Sequence, residues 1–282
     1  MTFVLSNQFD REIAIRLIAA VTVFAAMALA EDAMPRRARS FARWARWPAN
    51  LGIVAINNLA VRILLPITAI GAALTAEHRV SGLLNWVALP GAIALGIAVI
   101  ALDLAIYLQH RVFHAIPLLW RIHRMHHADL DFDLTTGLRF HPVEIVISML
   151  IKVGVVFAIG ASATAVLVFE VILNGTSMFN HGNLELSEAT DRWLRWVLVT
   201  PDMHRVHHSI VRRETNSNFG FNLPWWDYLM RTYCAQPAAG HLAMIIGTDQ
   251  FRSSEELKLM PMLTQPLRGE VGGYPTWTNL LG

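Results

Sequence analysis

Five long apolar stretches occupy most of the first 180 residues and constrain what this chain can fold into. Few charges interrupt them; Arg62 and Asp103 are each the only charged residue of their stretch. Each stretch supplies about the 20 residues that a membrane helix needs, although the last two are at the short end. Charged residues make up 16% of the chain, whereas soluble domains have about 25%. We therefore predict an all-α integral membrane bundle of four or five helices, formed by residues 12–30, 51–74, 83–108, 143–160 and 163–179.

The distribution of arginines predicts how this bundle is oriented. Five arginines follow the first stretch, whereas the next connection, residues 75–82, contains only Arg79. The positive-inside rule places the arginine-rich connection in the cytoplasm. If each stretch crosses the membrane once, residues 109–141 lie on the same side as the arginine-rich connection. Everything after the hairpin 143–179 lies on that side too. We expect a cytoplasmic helical cap there. The five arginines are Arg36, Arg37, Arg39, Arg43 and Arg46.

The end of the first stretch allows a second interpretation. Ala28-Leu29-Ala30 resembles a signal-peptidase site. The amino terminus is not clearly basic, and the arginines after this site would resist export. We therefore favour a retained helix over a cleaved signal peptide.

Nine of the twelve histidines occur in four short clusters between residues 110 and 208. Positions i, i+3 and i+4 share one face of a helix, so each cluster is expected to aim its imidazoles in one direction. Neutral imidazole suits zinc, copper, iron and nickel, and a zinc ion normally takes four ligands. So many nitrogens exceed the needs of one ion, which predicts two. The candidate ligands are His110, His114, His123, His126, His127, His181, His204, His207 and His208.

The other histidines are assigned by their neighbours. His141 precedes Pro142 where an apolar stretch begins, so it is either a helix-start residue or a tenth metal ligand. We include it among the candidate ligands. His78 and His241 lack aligned partners and are predicted to lie on the surface.

The first two clusters are close enough in sequence to meet in space. Only residues 115–122 separate them, and this segment contains Pro117. A turn there would fold one helix face back on the other.

Missing motifs narrow the chemistry of this site. No Glu-x-x-His of soluble di-iron bundles occurs, and neither does the His-Glu-x-x-His of zinc proteases. Cys234 is the one cysteine, which excludes an internal disulfide and thiolate-rich metal sites. An all-nitrogen shell suits iron that activates dioxygen. The net charge of +2 is too weak to argue for nucleic acid as a partner.

From about Tyr107 to Tyr233, the order HxxxH, HxxHH, NH, HxxHH resembles the fatty acid hydroxylase superfamily. This group includes sterol desaturases, 4-methylsterol oxidases, sphingolipid and fatty acid hydroxylases and alkylglycerol monooxygenase. Some relatives have His where this chain has Ser177. We therefore expect His141, or a water held by Asn180 or Asn183, to complete the metal shell. The matching segments are residues 136–144, 180–183, 201–209 and 218–229.

The resemblance implies a non-haem enzyme with two iron ions and the nine clustered histidines as catalytic residues. It would use O₂ to hydroxylate or desaturate an unactivated C–H bond of a sterol, fatty acyl, sphingoid or ether lipid. No cytochrome b5-like His-Pro-Gly-Gly motif occurs, so a separate ferredoxin, cytochrome b5-like protein or flavoprotein is the expected electron donor. A bacterial inner membrane is the expected location. The alternative is a non-catalytic membrane protein that stores, senses or transports metal.

We expect residues 1–282 to form a single domain. Membrane helices would occupy residues 1–108, the histidine region residues 109–233 and a carboxy-terminal tail residues 234–282. No sequence feature indicates an oligomeric state. In the histidine region, a solvated basic face is expected, with an anionic headgroup or donor protein as the alternative partner; it would consist of Arg205, Arg212 and Arg213.

Overall fold

The computed structural model describes residues 2–274, with residues 2–10 described by their backbone alone. Within this range the regular structure is helical and no β-strand occurs, which confirms the predicted all-α class. Three short 3-10 helices lie at Thr136–Leu138, Ser254–Leu257 and Gln265–Leu267. The α-helices are α1 (Thr2–Ala33), α2 (Arg43–Leu64), α3 (Ala69–His78), α4 (Leu83–Trp86), α5 (Gly91–Ala115), α6 (Pro117–His127), α7 (Pro142–Ile159), α8 (Ala163–Asn180), α9 (Glu188–Leu194), α10 (Pro201–His207), α11 (Arg212–Thr215), α12 (Trp225–Leu229), α13 (Gly240–Ala243) and α14 (Leu259–Thr264).

Five helical segments within the described range are long and apolar enough to cross a membrane, as the sequence predicts. Long apolar helices of this kind make the chain an integral membrane protein. The segments are Arg11–Ala33, Arg43–Trp86, Gly91–Ala115, Pro142–Ile159 and Ala163–Asn180.

Polar and apolar contacts set α1 parallel to α8. Arg16 of α1 lies 2.5 Å from Glu170 of α8, and Lys152 of α7 binds the same carboxylate at 2.7 Å. Further along both helices, Met27 packs in one cluster with Met178. Glu170 and Lys152, which interrupt the apolar stretches, therefore pair with each other inside the bundle.

The second segment runs parallel to α7. Near the start of α7, Asn57 donates a hydrogen bond to the carbonyl of Phe140 at 2.9 Å. Near its end, Gly82 and Gly160 approach so closely that a Cβ on Gly82 would lie 2.3 Å from the Gly160 nitrogen. One end of the bundle, here called the cap end, therefore contains the last residues of α1, α5 and α8. The first residues of α2 and α7 lie at the same end. The cap consists of residues 34–42, 116–141 and 181–274.

Two helix boundaries differ from the predicted stretches because of proline. Residues 51–74 form parts of two helices, since Leu65 is extended (φ −112°, ψ 121°) before Pro66, and a residue before proline avoids the helical region. Residues 83–108 do not form one continuous helix either. Pro90 instead precedes the first residue of α5, and α5 continues to Ala115. Two histidines are thereby carried on the last turns of α5.

A stripe of alanines lets α3 pack closely inside the bundle. Its members recur at i, i+3, i+4 and i+7 and are nearly inaccessible. The first three belong to the main apolar cluster together with residues of α5, α7 and α8. Small side chains allow helix backbones to approach in a membrane, where close packing drives association. The stripe consists of Ala69, Ala72, Ala73 and Ala76.

A buried ion network attaches the cap to the bundle. The guanidinium of Arg46 on α2 lies 2.6 Å from Asp129 and 2.6 Å from Asp133, and its side chain is 1% exposed. Burial alone would raise the pKa of Asp129, but the neighbouring guanidinium groups of Arg46 and Arg139 hold this pKa at about 2. The loop that follows the second histidine cluster is therefore held by paired charges.

We predict that Arg46→Ala destabilises the protein by about 3–5 kcal/mol, because it leaves buried carboxylates without their partner. The matched control is Arg39→Ala. Arg39 pairs with Asp32, whose side chain is 50% exposed, and such surface pairs contribute about 0–1 kcal/mol. Unfolding by SDS in mixed micelles measures both variants. Equal loss of stability in the two would contradict the structural role of the network.

Candidate metal centre

A tight turn between α5 and α6 brings the first two histidine clusters together. Ile116 is extended and Pro117 occupies the first turn of α6, where its missing N–H leaves no helical hydrogen bond unmade. Across the turn, Nε2 of His110 lies 3.1 Å from Nε2 of His123. The His114 and His127 Nε2 atoms are also 3.1 Å apart. The predicted folding of one helix face onto the other is confirmed.

The other two clusters close the site from α8 and α10. His181 caps the carboxyl end of α8. Thr200 caps the start of α10 by accepting the Met203 N–H, and this short helix carries the last cluster. Nε2 of His204 lies 3.1 Å from Nε2 of His181, and Nε2 of His207 lies 3.0 Å from Nε2 of His110.

The nine imidazoles form two groups, each with its ligand atoms within 4.8 Å of one another. No exposed fraction among the nine exceeds 3%. The five-histidine group contains His110, His114, His123, His127 and His207. The four-histidine group contains His126, His181, His204 and His208.

Each HxxHH cluster is divided between these groups. In both clusters the residues at i and i+4 join one group, and the residue at i+3 joins the other. The expectation that a cluster aims all its imidazoles in one direction was therefore wrong for these two. Adjacent residues differ by about 100° around a helix, and the rings of His126 and His127 lie nearly perpendicular to each other, at an interplanar angle of 88°. One short helix thus contributes to two neighbouring centres.

Hydrogen bonds fix where the protons of two key imidazoles lie. Nδ1 of His110 is 2.8 Å from the Phe219 carbonyl, and Nδ1 of His207 is 2.7 Å from the Ser217 carbonyl. A carbonyl oxygen only accepts, so each Nδ1 carries the hydrogen and each neutral Nε2 presents a lone pair. These two Nε2 atoms face each other at 3.0 Å.

Two lone pairs that converge at this distance repel each other unless both bind the same cation. An imidazole nitrogen lies about 2.0–2.1 Å from a bound zinc ion, so two ligands at a right angle around one ion would be separated by about 3 Å. The observed spacing has that value. The donor set of the five-histidine group therefore fits a first-row metal ion.

Burial keeps the cap histidines available as neutral ligands. Desolvation, with a further contribution from neighbouring imidazoles, lowers their pKa values well below the ordinary value of 6.5; this applies to His126, His127, His204 and His208. Desolvation also lowers the pKa of His181, to about 3. Neutral imidazole is the form that binds metals.

Glu144 is a site residue that was not predicted from the sequence. Its Oε1 accepts a hydrogen bond from Nδ1 of His123 at 2.7 Å, in a buried position on the first turn of α7. Such a carboxylate fixes the ring and raises its basicity as a ligand. A glutamate at the start of an apolar stretch, three residues after a histidine, was the available signal.

His141 lies outside both groups, so the prediction that it is a tenth ligand is not supported. Its Nδ1 accepts the Val143 N–H at 3.2 Å, which caps α7, and its Nε2 lies 3.2 Å from the Leu263 carbonyl. It is the helix-start residue of the alternative interpretation.

The two asparagines proposed to hold a water differ in their surroundings. Asn180 donates to the Phe221 carbonyl, and its buried Oδ1 has no partner among the described residues. Asn183 is engaged with the backbone of Arg37. Asn180 is therefore the better placed of the two.

Two surface predictions need correction. His241 is 5% exposed, and its Nε2 lies 3.5 Å from Asp202. Arg205 is fully buried and binds Asp202 and the Gly182 carbonyl, so it is not part of a solvated face. His78 is exposed as predicted.

Comparisons with known proteins converge on this region. The sequence model of the fatty acid hydroxylase family matches residues 95–232, a range that contains all nine clustered histidines. Ornithine lipid hydroxylase OlsE of Rhizobium tropici is 28% identical over 149 residues, which cover 52% of this chain and 44% of that protein. Alkylglycerol monooxygenase of Xenopus tropicalis is 30% identical over 139 residues, covering 48% of this chain and 29% of that protein. Alkylglycerol monooxygenase of Homo sapiens is 29% identical over 144 residues, which cover 49% of this chain and 30% of that protein.

The matched part of the chain spans less than half the length of each of these relatives. No solved structure shows significant similarity to the chain.

We predict that Glu144→Gln weakens metal binding by about 10–100-fold, the usual effect of losing a group that orients a metal ligand. Glutamine keeps the shape but removes the negative charge beside His123. Competition between the protein and a chelator for cobalt(II) measures the affinity. The control is Glu188→Gln, which changes an exposed glutamate on α9. Unchanged affinity in Glu144→Gln would contradict the role assigned to this carboxylate.

Proposed function

From the match of residues 95–232 to the fatty acid hydroxylase family, we propose that the chain is a member of this superfamily and an O₂-dependent lipid oxidoreductase. The proposed reaction is hydroxylation or desaturation of an unactivated C–H bond of a membrane lipid. The observation that carries the proposal is the pair of buried imidazole groups whose lone pairs converge at the cap end of a membrane bundle. The names of the relatives, a lipid hydroxylase and a monooxygenase, support the same reaction class.

We propose two iron ions as the cofactors, one in the five-histidine group and one in the four-histidine group. When bound, iron would supply the dioxygen activation that amino-acid side chains cannot. Both groups offer only imidazole nitrogens, and their donor set is compatible with iron.

The chain's own residues would orient the ligands and exclude water. Each Nδ1 of His110, His123 and His207 donates a hydrogen bond to an oxygen atom, and these bonds hold the rings in position before any ion binds. Aromatic rings surround the centre, with Phe140 stacked on His126 at 4.5 Å and Phe221 5.2 Å from His110. A dry, preorganised site limits the loss of reactive species to solvent.

The depth of the centre suggests which part of a lipid reacts. His110 lies nineteen residues after Gly91 on α5, which corresponds to about 28 Å at 1.5 Å per residue. The hydrocarbon core of a bilayer is about 30 Å thick, so a helix that enters it at Gly91 reaches the opposite boundary near His110. The indole of Trp226 binds Asp103, two turns below His110, and neighbouring Trp225 is 43% exposed, as expected at a membrane interface.

We therefore propose that the oxidised carbon lies close to the polar headgroup of the substrate. The relatives are named for ornithine lipids and alkylglycerols, and we propose a substrate of this broad class, an acyl or alkyl lipid with a polar head. The lipid would approach between the membrane helices.

The arginine-rich connection 34–46 lies at the cap end. By the positive-inside rule, we propose that the cap faces the cytoplasm of a bacterial cell. A separate ferredoxin, cytochrome b5-like protein or flavoprotein would deliver electrons there.

We predict about two iron ions per chain after anaerobic loading, and consumption of O₂ when reductant and polar lipid are supplied. His126→Ala and His207→Ala, one from each group, should each lower turnover by at least about 100-fold, because the ligands act as a unit. Elemental analysis, an oxygen electrode and mass spectrometry of the lipid provide the readouts.

The controls for this experiment are two histidines outside the groups. His78→Ala changes an exposed residue and should leave iron content and turnover unchanged. His141→Asn preserves a helix-capping side chain and should retain both ions. Bound metal with no lipid oxidation under any donor would favour the alternative of a metal-storage, sensing or transport protein.

Cys234, the one cysteine, provides a test of orientation. It is half-buried in the cap, so a membrane-impermeant maleimide should label it in inverted vesicles and not in intact spheroplasts. The control is His78→Cys in a Cys234→Ser background, which places the thiol at the opposite end of the bundle and should reverse the result. Labelling of Cys234 from outside would contradict the proposed topology.

A further inference from the structure

A polar cavity lies in the cap, beside the four-histidine group. Its volume is about 260 Å³, enough for several water molecules at about 30 Å³ each. Segments from distant parts of the sequence line it, including the arginine-rich connection and the loop 243–246. The proposed reaction does not use this cavity.

The charges at the cavity favour an anion. Arg37 and Arg252 both line it, and their guanidinium groups donate to backbone carbonyls. Among residues with described side chains, neither has a carboxylate within ion-pairing distance. The carboxylate of Asp131 also lines the cavity, but it accepts the backbone N–H groups of Ser40 and Phe41. The cavity therefore carries a net positive charge.

One lining residue also touches the metal-binding histidines. The ring of Phe132 lies 5.1 Å from His208 and 5.5 Å from His181, measured between centroids. On another side, the guanidinium of Arg205 lies 5.2 Å from the same ring. Phe132 lines the cavity on one side and contacts these two histidines on the other, so it lies between the cavity and the four-histidine group.

The two groups differ in how firmly their rings are held. In the five-histidine group, four rings have an acceptor on Nδ1, and His127 is the exception among described contacts. In the four-histidine group only His181 has such a partner, the Ser177 carbonyl. The Nδ1 atoms of the other three have none within the described part of the chain. With one imidazole fewer and fewer rings oriented by hydrogen bonds, this group has more capacity to accept a further ligand.

We propose that the cap cavity binds small anions from the aqueous phase and admits them past Phe132 to the metal ion of the four-histidine group. The class of ligand is a monovalent anion of a few atoms, such as azide or formate. This inference rests on the proposed metal binding, and it assigns the cap a route separate from the lipid side of the site.

The test uses the full chain in detergent micelles, loaded with cobalt(II), with azide as the probe. Visible absorption of the cobalt reports both metal loading and azide binding, and stopped-flow mixing gives the association rate. Removing the ring in Phe132→Ala should raise that rate by about tenfold, because binding that requires a side chain to move is slowed. Phe132→Leu is a milder change and should also raise the association rate. It serves as the test if the alanine variant does not fold.

Charge variants test the cavity itself. Arg252→Gln should lower the azide association rate by about threefold and weaken its dependence on salt, since a positive cleft attracts anions. Arg252→Lys retains the charge and should stay close to the wild-type rate.

Phe221→Ala provides the opposing comparison. Phe221 contacts His110 and His204 and belongs to the apolar cluster of the membrane bundle. Acceleration by Phe221→Ala together with no effect of either Phe132 variant would overturn the proposed route. Absence of the cobalt spectrum in the wild type would instead count against metal binding, so the two failures are distinguishable.

Discussion

The repulsion between the converging lone pairs of His110 and His207 is the constraint on which the rest of the structure depends. Their Nδ1 atoms donate to backbone carbonyls, and their Nε2 atoms face each other at 3.0 Å inside the protein. Burial prevents water from separating them and lowers the pKa of His207, so protonation does not remove the repulsion. A bound cation resolves it. The helices, the cap and its ion networks can be understood as the framework that holds these nitrogens together.

That framework depends on where helices begin and end. Proline at position 117 starts α6 directly after α5, so two helix ends present histidines to each other. The long apolar helices bring chain segments 70 to 100 residues apart to the same end of the bundle, and the buried guanidinium of Arg46 attaches the loop after His127 to α2. Because paired buried charges are costly to separate, the cap is fixed relative to the membrane helices. Rigidity at this junction preserves the spacing of the imidazoles.

Much of this arrangement could be predicted from the sequence because its signals are periodic. Apolar length indicated the membrane helices, and the number of clustered histidines indicated more nitrogen ligands than one metal ion needs. Tertiary contacts decided the rest. No pattern in the sequence shows that His126 and His127 belong to different groups. The grouping depends on which histidines of the other helices surround each ring, and only the folded structure determines that. Likewise, the burial of His241 and the contact of Glu144 with His123 arise from loops and helices distant in sequence.

The central claim is that nine histidines hold two ions, five around one and four around the other. Anomalous diffraction at the iron absorption edge, on crystals of the iron-loaded protein, tests it most directly. We expect two peaks, one bound by the five-histidine group and one by the four-histidine group, with His126 and His127 on different ions. A single peak, or both of these histidines on the same ion, would contradict it.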